Sequence, residues 1–409
     1  MKLKRAMLAA CALALALPVC AAGEEEGAAE ALLPQGVSIS VDVTEAGGSH
    51  LELPEAVLEA AQDGQMTEDT ALDAVEDPVA ALNALIRERL GVDEAMQVSQ
   101  RAGAQIMQTA RVYDDGKLAS IALLWEGTQA DGLDGCSVRT LALDLATGGE
   151  IGFDALFDDP AAAVSHMEAI IGAEIVDGLS DYMEYADLLP MPQDCFSFDE
   201  NGLTVYYPEE RYRYFDEKSG AVHFAWFEIA AWIGEESPVY ALSRAQEADG
   251  DALVEQLSTG RFPGAMGAAA VGDGLGDVLG RLTLLADPDY TDSAKVYLFE
   301  EPELRGFAVE IPKYAETADA DTPVSAIRCA RIAMYGLETG ASLRSDVLAL
   351  LGEPSAFLTY DGGDAADAML EPGESVIYGM GDFVLEAHFD AQDVLSCLIL
   401  HDAMPEGLY

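Results

Sequence analysis

Alternation of apolar and polar residues predicts strands along most of the first half of this chain. Residues 37–43 alternate Val or Ile with Ser or Asp, which is typical of a half-buried strand. Residues 105–113 and 117–125 flank Asp114-Asp115-Gly116 and are expected to pair as a hairpin. Further strands are expected over residues 137–145, 195–198, 203–207 and 222–229, the middle two joined across Asn201-Gly202.

Apolar residues spaced three or four apart predict a few helices between these strands. The clearest is 79–90, where Leu82, Ile86 and Leu90 share one face and Gly91 follows as the stop signal. Residues 161–176 and 251–257 have the same spacing. The acidic stretch between 43 and 79 has a weaker pattern, and we expect it to be helical as well.

The second half repeats this mixture with elements of its own. One short helix should end at Leu351, before Gly352-Glu353-Pro354. Strands are expected over residues 295–299, 306–311, 326–335, 376–378, 383–389 and 394–401. The fold class is therefore α+β, with two domains that are each a mainly antiparallel sheet packed with a few helices.

Composition divides the chain into five segments. A signal peptide is expected over 1–22, an acidic leader over 23–36 and the first domain over 37–262. A Gly/Ala-rich linker over 263–280 then leads to a second domain over 281–409.

The amino terminus has the layout of an export signal, with a basic start, an apolar run over 6–19 and small residues after it. Two ways of processing stay open. Val19 and Ala21 suit ordinary cleavage and release, whereas Leu17-Pro18-Val19-Cys20 is similar to a lipobox, which would make Cys20 a lipid anchor. Either way the chain is expected to act outside the cytoplasm, as a secreted or cell-surface protein.

The charge of the chain is strongly negative. With 74 acidic and 21 basic side chains, the formal net charge is −53. Affinity for nucleic acid requires clustered Lys and Arg, so nucleic acid is excluded as a partner, and a membrane is expected to be contacted only through an anchor at Cys20. Cationic partners, such as a basic secreted protein, would be attracted in a salt-dependent manner.

Four cysteines follow the signal region, namely Cys136, Cys195, Cys329 and Cys397. In an exported protein they are candidates for disulfides, most simply paired within each half of the chain. The alternative is that they are buried free thiols.

Aromatic residues crowd between 206 and 232, with two arginines beside them. The candidates for a partner surface are Tyr207, Tyr212, Tyr214, Arg211, Arg213, Trp226 and Trp232. Core packing is the alternative, since aromatic rings in strands usually pack against neighbouring strands.

The first half resembles a family of bacterial extracytoplasmic domains. The run LALDLATGGEIGFDALF over 141–157 is similar to the strand end, turn and helix start of that family, and Phe196-Ser197-Phe198 with Asn201-Gly202-Leu203 is similar to its next hairpin. The family is the ectodomain shared by RsiV-like lysozyme-sensing anti-sigma factors and a secreted peptidoglycan deacetylase. The resemblance covers about residues 37–245 and implies an accessory or receptor module.

The second half resembles a BamE-like module of envelope proteins over about residues 325–405. Its signature is Gly340 to Val347 leading to Leu350-Leu351-Gly352-Glu353-Pro354, followed by the closing hairpin. Such modules bind proteins or stabilise assemblies.

No motif in the sequence gathers a nucleophile, a base or metal ligands. The HExxH and GxSxG patterns are absent, and only His388 and His401 are placed to face each other, across the last hairpin. We therefore expect a non-catalytic recognition or assembly protein at a bacterial cell surface, without a cofactor, that binds a protein or a cell-wall component. The alternative is a cell-wall hydrolase or deacetylase whose site the sequence does not reveal.

Overall fold

The first half is organised around a six-stranded sheet. The computed structural model describes residues 33–34, 36–46, 48–58, 78–100, 105–128, 134–174, 189–207, 220–244, 247–314 and 319–402. The sheet has the order β1-β2-β3-β4-β5-β6, and all its neighbours are antiparallel except β2 and β3. Its strands are β1 Val37–Ala46, β2 Ser49–Leu58, β3 Gln105–Asp114, β4 Leu118–Thr128, β5 Asp134–Asp144 and β6 Gly149–Glu150.

The expected hairpin between β3 and β4 is confirmed, and its turn is fixed by two aspartates. Asp114 accepts a hydrogen bond from the backbone N–H of Gly116, and Asp115 accepts from the N–H groups of Lys117 and Leu118. Gly116 has a φ of 79°, a conformation that residues with a side chain rarely adopt. The local sequence therefore sets the register between β3 and β4.

Each face of this sheet carries a separate core. One face packs against two helices, α1 Pro78–Leu90 and α2 Val92–Ser99, through Leu82 and Ile86 of α1. The other face packs against α3 Pro160–Glu174 and a three-stranded sheet of β7 Phe196–Phe198, β8 Gly202–Tyr206 and β9 Ala221–Ala225. A turn of helix, α4 Trp226–Ile229, follows β9 directly.

The two sheets of the first half are joined by polar anchors. The hydroxyl of the buried Ser120 on β4 accepts from the N–H of Phe198, and the hydroxyl of Thr140 on β5 accepts from the N–H of Phe196. These bonds satisfy edge groups of β7 that would otherwise be buried without partners.

The second half contains an eight-stranded antiparallel sheet with the order β10-β11-β12-β13-β19-β18-β17-β16. Its strands are β10 Asp289–Tyr290, β11 Ala294–Leu298, β12 Phe307–Pro312, β13 Ala326–Cys329, β16 Ala356–Tyr360, β17 Gly373–Met380, β18 Phe383–Phe389 and β19 Leu395–Asp402, while β14 Ala333–Met334 and β15 Leu337–Glu338 pair separately. Three helices cover its inner face, α5 Gly250–Leu257, α6 Leu275–Leu279 and α7 Arg344–Leu351, and a fourth, α8 Gly362–Asp367, follows β16. The α+β class, with mainly antiparallel sheets in a two-domain arrangement, is thereby confirmed.

The stretch expected to be a linker, 263–280, is a packed part of the second half, so that prediction is wrong. Ala269, Leu275 and Val278 are each fully buried in the core beneath the eight-stranded sheet. Small residues here allow close packing, which the sequence pattern alone does not separate from flexibility.

Three other expectations differ from the structure. Residues 49–58, within the region expected to be helical, form β2, where Pro54 lies opposite Val41. The strand expected over 222–229 ends at Ala225, because the Glu228 carboxylate accepts from the Ala225 N–H and closes a helical turn. The strand expected over 326–335 is interrupted after Cys329.

Across the described ranges, no helix is both long and apolar enough to cross a membrane. The predicted signal peptide and Cys20 lie outside the described residues, as does most of the acidic leader.

Candidate functional site

The outer face of the eight-stranded sheet carries a cluster of charged side chains, two of which are buried carboxylates. Arg328 on β13, Ile399 on β19 and Glu386 on β18 lie directly opposite one another in register. In the next row, Ala326 on β13 lies between Glu310 on β12 and His401 on β19, and it is in register with both. Four strands thus bring two acidic groups, a guanidinium and an imidazole onto one surface.

Arg328 is held in place by a full set of acceptors. Its guanidinium donates to Glu310 Oε1 at 3.0 and 2.6 Å, and to the carbonyl oxygens of Ala368 and Met369 at 3.0 Å each. Burial alone would lower the pKa of Arg328, but the Glu310 charge raises it. Arg328 therefore connects the segment after α8 to the sheet, and its positive charge is cancelled by the negative charge of Glu310.

Glu386 is a buried carboxylate that keeps its negative charge. Only 3% of it is exposed, and it accepts from the Tyr360 hydroxyl at 2.9 Å and lies 3.1 Å from His401 Nε2. Burial would raise the pKa of Glu386, but these hydrogen bonds outweigh burial and lower it. Burial first, and then the Glu386 carboxylate, raise the pKa of Tyr360.

A serine–imidazole pair lies behind this surface but is closed to any substrate. Ser375 Oγ is 2.9 Å from His388 Nδ1, and His388 Nε2 is 2.9 Å from the carbonyl oxygen of Glu371. Such a contact is found in nucleophilic catalysis, where the hydroxyl must be accessible. Here both side chains are completely buried, and burial lowers the pKa of His388, so the pair is a neutral structural link.

A cleft of about 610 Å³ opens over this surface. Its floor includes the apolar side chains of Ile399, Leu358 and Leu370. Exposed carboxylates surround it at Asp292, Asp364, Asp367 and Asp402. We call this region, with Glu310, Arg328, Glu386 and His401, the outer cleft. An apolar floor with a carboxylate rim matches a long cationic side chain, whose stem is apolar and whose tip is charged.

The candidate cysteines do not form the expected pair in the second half. Cys329 lies opposite Leu398 in register, so the neighbouring Cys397 points to the opposite face of the sheet. Cys195, Cys329 and Cys397 are free thiols, and burial raises the pKa of each. The side chain of Cys136 lies outside the described residues.

The candidate aromatic surface is partly core. Tyr207 and Trp226 are 3% and 4% exposed and pack beneath the first sheet, so these two do not form an exposed partner surface. Trp232 is half-buried and stacks on His166 with ring centroids 4.1 Å apart. The other candidates lie outside the described residues, namely Arg211, Tyr212, Arg213 and Tyr214.

His388 and His401 do not face each other across the last hairpin, because the register places His388 opposite Cys397 and His401 opposite Val384. Each imidazole instead has its own hydrogen-bond partners. Nor does the described part of the chain contain a group of three or more His, Cys, Asp or Glu side chains arranged to hold a metal ion.

Comparison with known proteins yields partial similarities to solved structures. No family model matches the chain, and no curated protein matches it in sequence. A DUF4309 family protein (YjgB) from Bacillus subtilis is 16% identical with a TM-score of 0.27, over 37% of this chain and 95% of that one.

Two DUF3298 family proteins, from Pseudomonas aeruginosa and Bacteroides fragilis, are 10% and 11% identical with TM-scores of 0.30 and 0.29. Each match covers 51% of this chain, and it covers 97% of the Pseudomonas protein and 98% of the Bacteroides protein. The finer resemblances, to the RsiV-like and BamE-like modules, stay predictions.

Proposed function

We propose that this protein is an exported recognition protein of a bacterial cell surface that binds a cationic ligand in the outer cleft without converting it. The ligand class is a basic protein or a cell-wall component that presents amine or guanidinium groups. The observation that carries the proposal is the outer cleft itself, an apolar floor surrounded by uncompensated carboxylates.

The charge balance of the outer cleft supports a cationic ligand. Its one arginine, Arg328, is neutralised by Glu310 and two backbone carbonyls. The exposed rim carboxylates Asp364 and Asp367 are then left to act on a ligand. Carboxylates grouped over a low-dielectric floor attract cations more strongly than the same charges dispersed in water.

The fixed geometry of the polar groups supports binding rather than conversion. Glu386 is held by Tyr360 and His401, and Glu310 is held by Arg328. A general base must be able to reach a proton on its substrate, whereas these carboxylates are already engaged. Groups positioned in this way recognise a charge and keep it in place.

The proposal is tested by binding of lysozyme, a basic protein, to the wild-type chain and to the double variant Asp364→Asn/Asp367→Asn. Both residues are exposed on α8, and no described hydrogen bond uses their carboxylates, so the fold should be unaffected. The matched control is Glu235→Gln/Glu236→Gln, which removes the same charge from an exposed turn remote in sequence.

We expect the α8 variant to bind roughly three- to tenfold more weakly, with a shallower salt dependence, since each rim charge contributes a fraction of a kcal/mol to about 1 kcal/mol. The control variant should bind like the wild type, and acetylated lysozyme should bind poorly to all three. Equal losses in the two variants would show that only the overall charge matters, and would refute the outer cleft as the site. Release of soluble glycan or peptide fragments from purified peptidoglycan would favour the hydrolase alternative, and release of acetate would favour the deacetylase alternative.

A further inference from the structure

A second cleft lies where the two halves of the chain meet. It has a volume of about 350 Å³, within the range of small-molecule sites. Its apolar wall comes from both halves, with Trp226 and Leu242 on one side and Met266 and Ile332 on the other. We call it the junction cleft, and nothing in the proposed function uses it.

Contacts between the halves fix the walls of the junction cleft. Arg331, on the second half, pairs with the carboxylate of Glu228 on α4, and both side chains are largely buried. The N–H of Ala265 donates to Asn201 Oδ1 at 2.8 Å. The site is therefore preformed, which reduces the entropic cost of binding a ligand.

His223 is the buried polar group that faces this cleft. It is 4% exposed, and its Nδ1 lies 3.0 Å from the Thr204 hydroxyl across the β8–β9 pair. Among the described residues only Nδ1 of this ring makes a hydrogen bond, which leaves Nε2 as the ring atom that a ligand in the cleft can contact.

Gly202 leaves room beside that nitrogen. A Cβ at this position would lie 2.7 Å from both Nε2 and Cε1 of His223, and 2.1 Å from the carbonyl oxygen of Phe224. Any side chain here would press on the imidazole edge and disturb the strand pair. The imidazole position therefore depends on a glycine at residue 202.

Three arginines lie close enough to His223 to act on its charge, although Arg331 is paired with Glu228 and Arg111 with Glu303. Burial first, then the charges of Arg331, Arg305 and Arg111, lower the pKa of His223 to about 3. The imidazole is therefore neutral at physiological pH. If the Thr204 hydroxyl donates to Nδ1, the proton of the neutral ring is on Nε2 and points at the ligand position.

Both signs of charge line the cleft, but the basic groups surround the imidazole. Arg305 and Arg331 are part of the lining, together with Glu200 and Glu303, and Glu303 pairs with Arg111 at 3.3 Å. Only 21 of the 409 residues are basic, and three of them, Arg244, Arg305 and Arg331, line this cleft.

We propose that the junction cleft binds a small organic oxyanion, whose carboxylate or phosphate oxygens lie between His223 Nε2 and the Arg305 guanidinium and whose apolar part packs on Trp226 and Met266. Guanidinium groups favour both kinds of oxyanion, and an N–H donor on a neutral ring adds direction. The proposal is independent of the outer cleft, which has the opposite charge preference.

Three probes of similar size test the proposal: benzoate, phenyl phosphate and neutral benzamide. Affinity is measured by calorimetry, and the ring nitrogens of ¹⁵N-histidine-labelled protein are followed by NMR, with the His223 signals assigned from the His223→Gln variant. We expect at least one anion to bind at least tenfold more tightly than benzamide and to shift the Nε2 resonance of His223. The tighter of the two anions identifies the chemical source, carboxylate or phosphate.

Two variants locate the binding. Arg305→Leu and His223→Leu should each weaken binding of the favoured anion at least fivefold. His50→Gln is the matched control, because His50 is a partly exposed imidazole that contacts Glu45 and Glu52, and it should bind like the wild type. Equal binding of all three probes, an unmoved Nε2 resonance, or unchanged binding in both Leu variants would overturn the proposal. If a Leu variant does not fold, the wild-type resonance alone decides.

Discussion

Arg331 and Glu228 form a largely buried ion pair between the two halves of the chain, with 14% and 12% of their side chains exposed. Glu228 also accepts from the Ala225 N–H, and this bond ends β9. The same carboxylate therefore makes a contact within the first half and an ion pair with the second half. Arg331 additionally donates toward the carbonyl oxygen of His223 at 3.5 Å. The junction is thus part of the fold rather than a flexible connection.

Glu228→Gln should destabilise the protein by about 3 kcal/mol, because removing one charge of a buried pair leaves the other without compensation. Urea-induced unfolding measures the change. The matched control is Glu150→Gln, which breaks the exposed pair with Arg89 and should cost less than about 1 kcal/mol. Similar losses in the two variants would show that the junction pair is no more important than a surface contact.

Asp199→Asn should stabilise the protein at neutral pH. Burial first, and then the charges of Glu200 and Glu303, raise the pKa of Asp199 to about 6, above its unfolded value of about 4. A raised pKa means that the Asp199 contribution to stability is fully present below about pH 4 and is lost as the pH rises through about 6. Asparagine keeps the acceptor for the Asn201 and Gly202 N–H groups without the charge.

The Asn variant should therefore be more stable than the wild type at pH 7.5, by up to about 3 kcal/mol, with the difference shrinking toward pH 4. Urea unfolding at several pH values measures it. Asp115→Asn is the control, since Asp115 makes the same kind of turn at an exposed position of the β3–β4 hairpin. A difference that does not depend on pH would contradict the assignment.

Cys329 and Cys397 should stay reduced under oxidising conditions. They lie on neighbouring strands but point to opposite faces, and both are buried. In a Cys136→Ser background, we expect a thiol reagent to modify them only after unfolding, and peptide mapping of the native protein to find no link between them. A Cys329–Cys397 crosslink recovered from air-oxidised protein would show that the register of β13 and β19 is wrong.

Local signals in the sequence were sufficient to predict the hairpins. Both turns are formed by an aspartate carboxylate that accepts from backbone N–H groups within the same three or four residues, at Asp114-Asp115-Gly116 and at Asp199 with Asn201-Gly202. Because these contacts are local, the residue pattern predicts the turns directly. The helical turn at Trp226 depends instead on Glu228, whose position is set by Arg331 more than a hundred residues later in the chain. No local pattern predicts such a contact.

The outer cleft was only weakly signalled by the sequence. Glu310 and Glu386 each interrupt an apolar strand, in the runs Phe307–Pro312 and Phe383–Phe389. A carboxylate inside such a run requires a partner, but the run does not say which residue supplies it. Arg328, Tyr360 and His401 come from three other strands, and only the sheet order brings them together.

Binding of lysozyme at the outer cleft can be mapped by chemical crosslinking. A water-soluble carbodiimide joins lysine amines to nearby carboxylates, and mass spectrometry of the digested complex identifies which carboxylates reacted. If the outer cleft is the binding site, crosslinks concentrate at Asp364, Asp367 and Asp402 on its rim. Crosslinks spread evenly over exposed carboxylates, with Glu235 and Glu236 reacting as often as the rim, would contradict it.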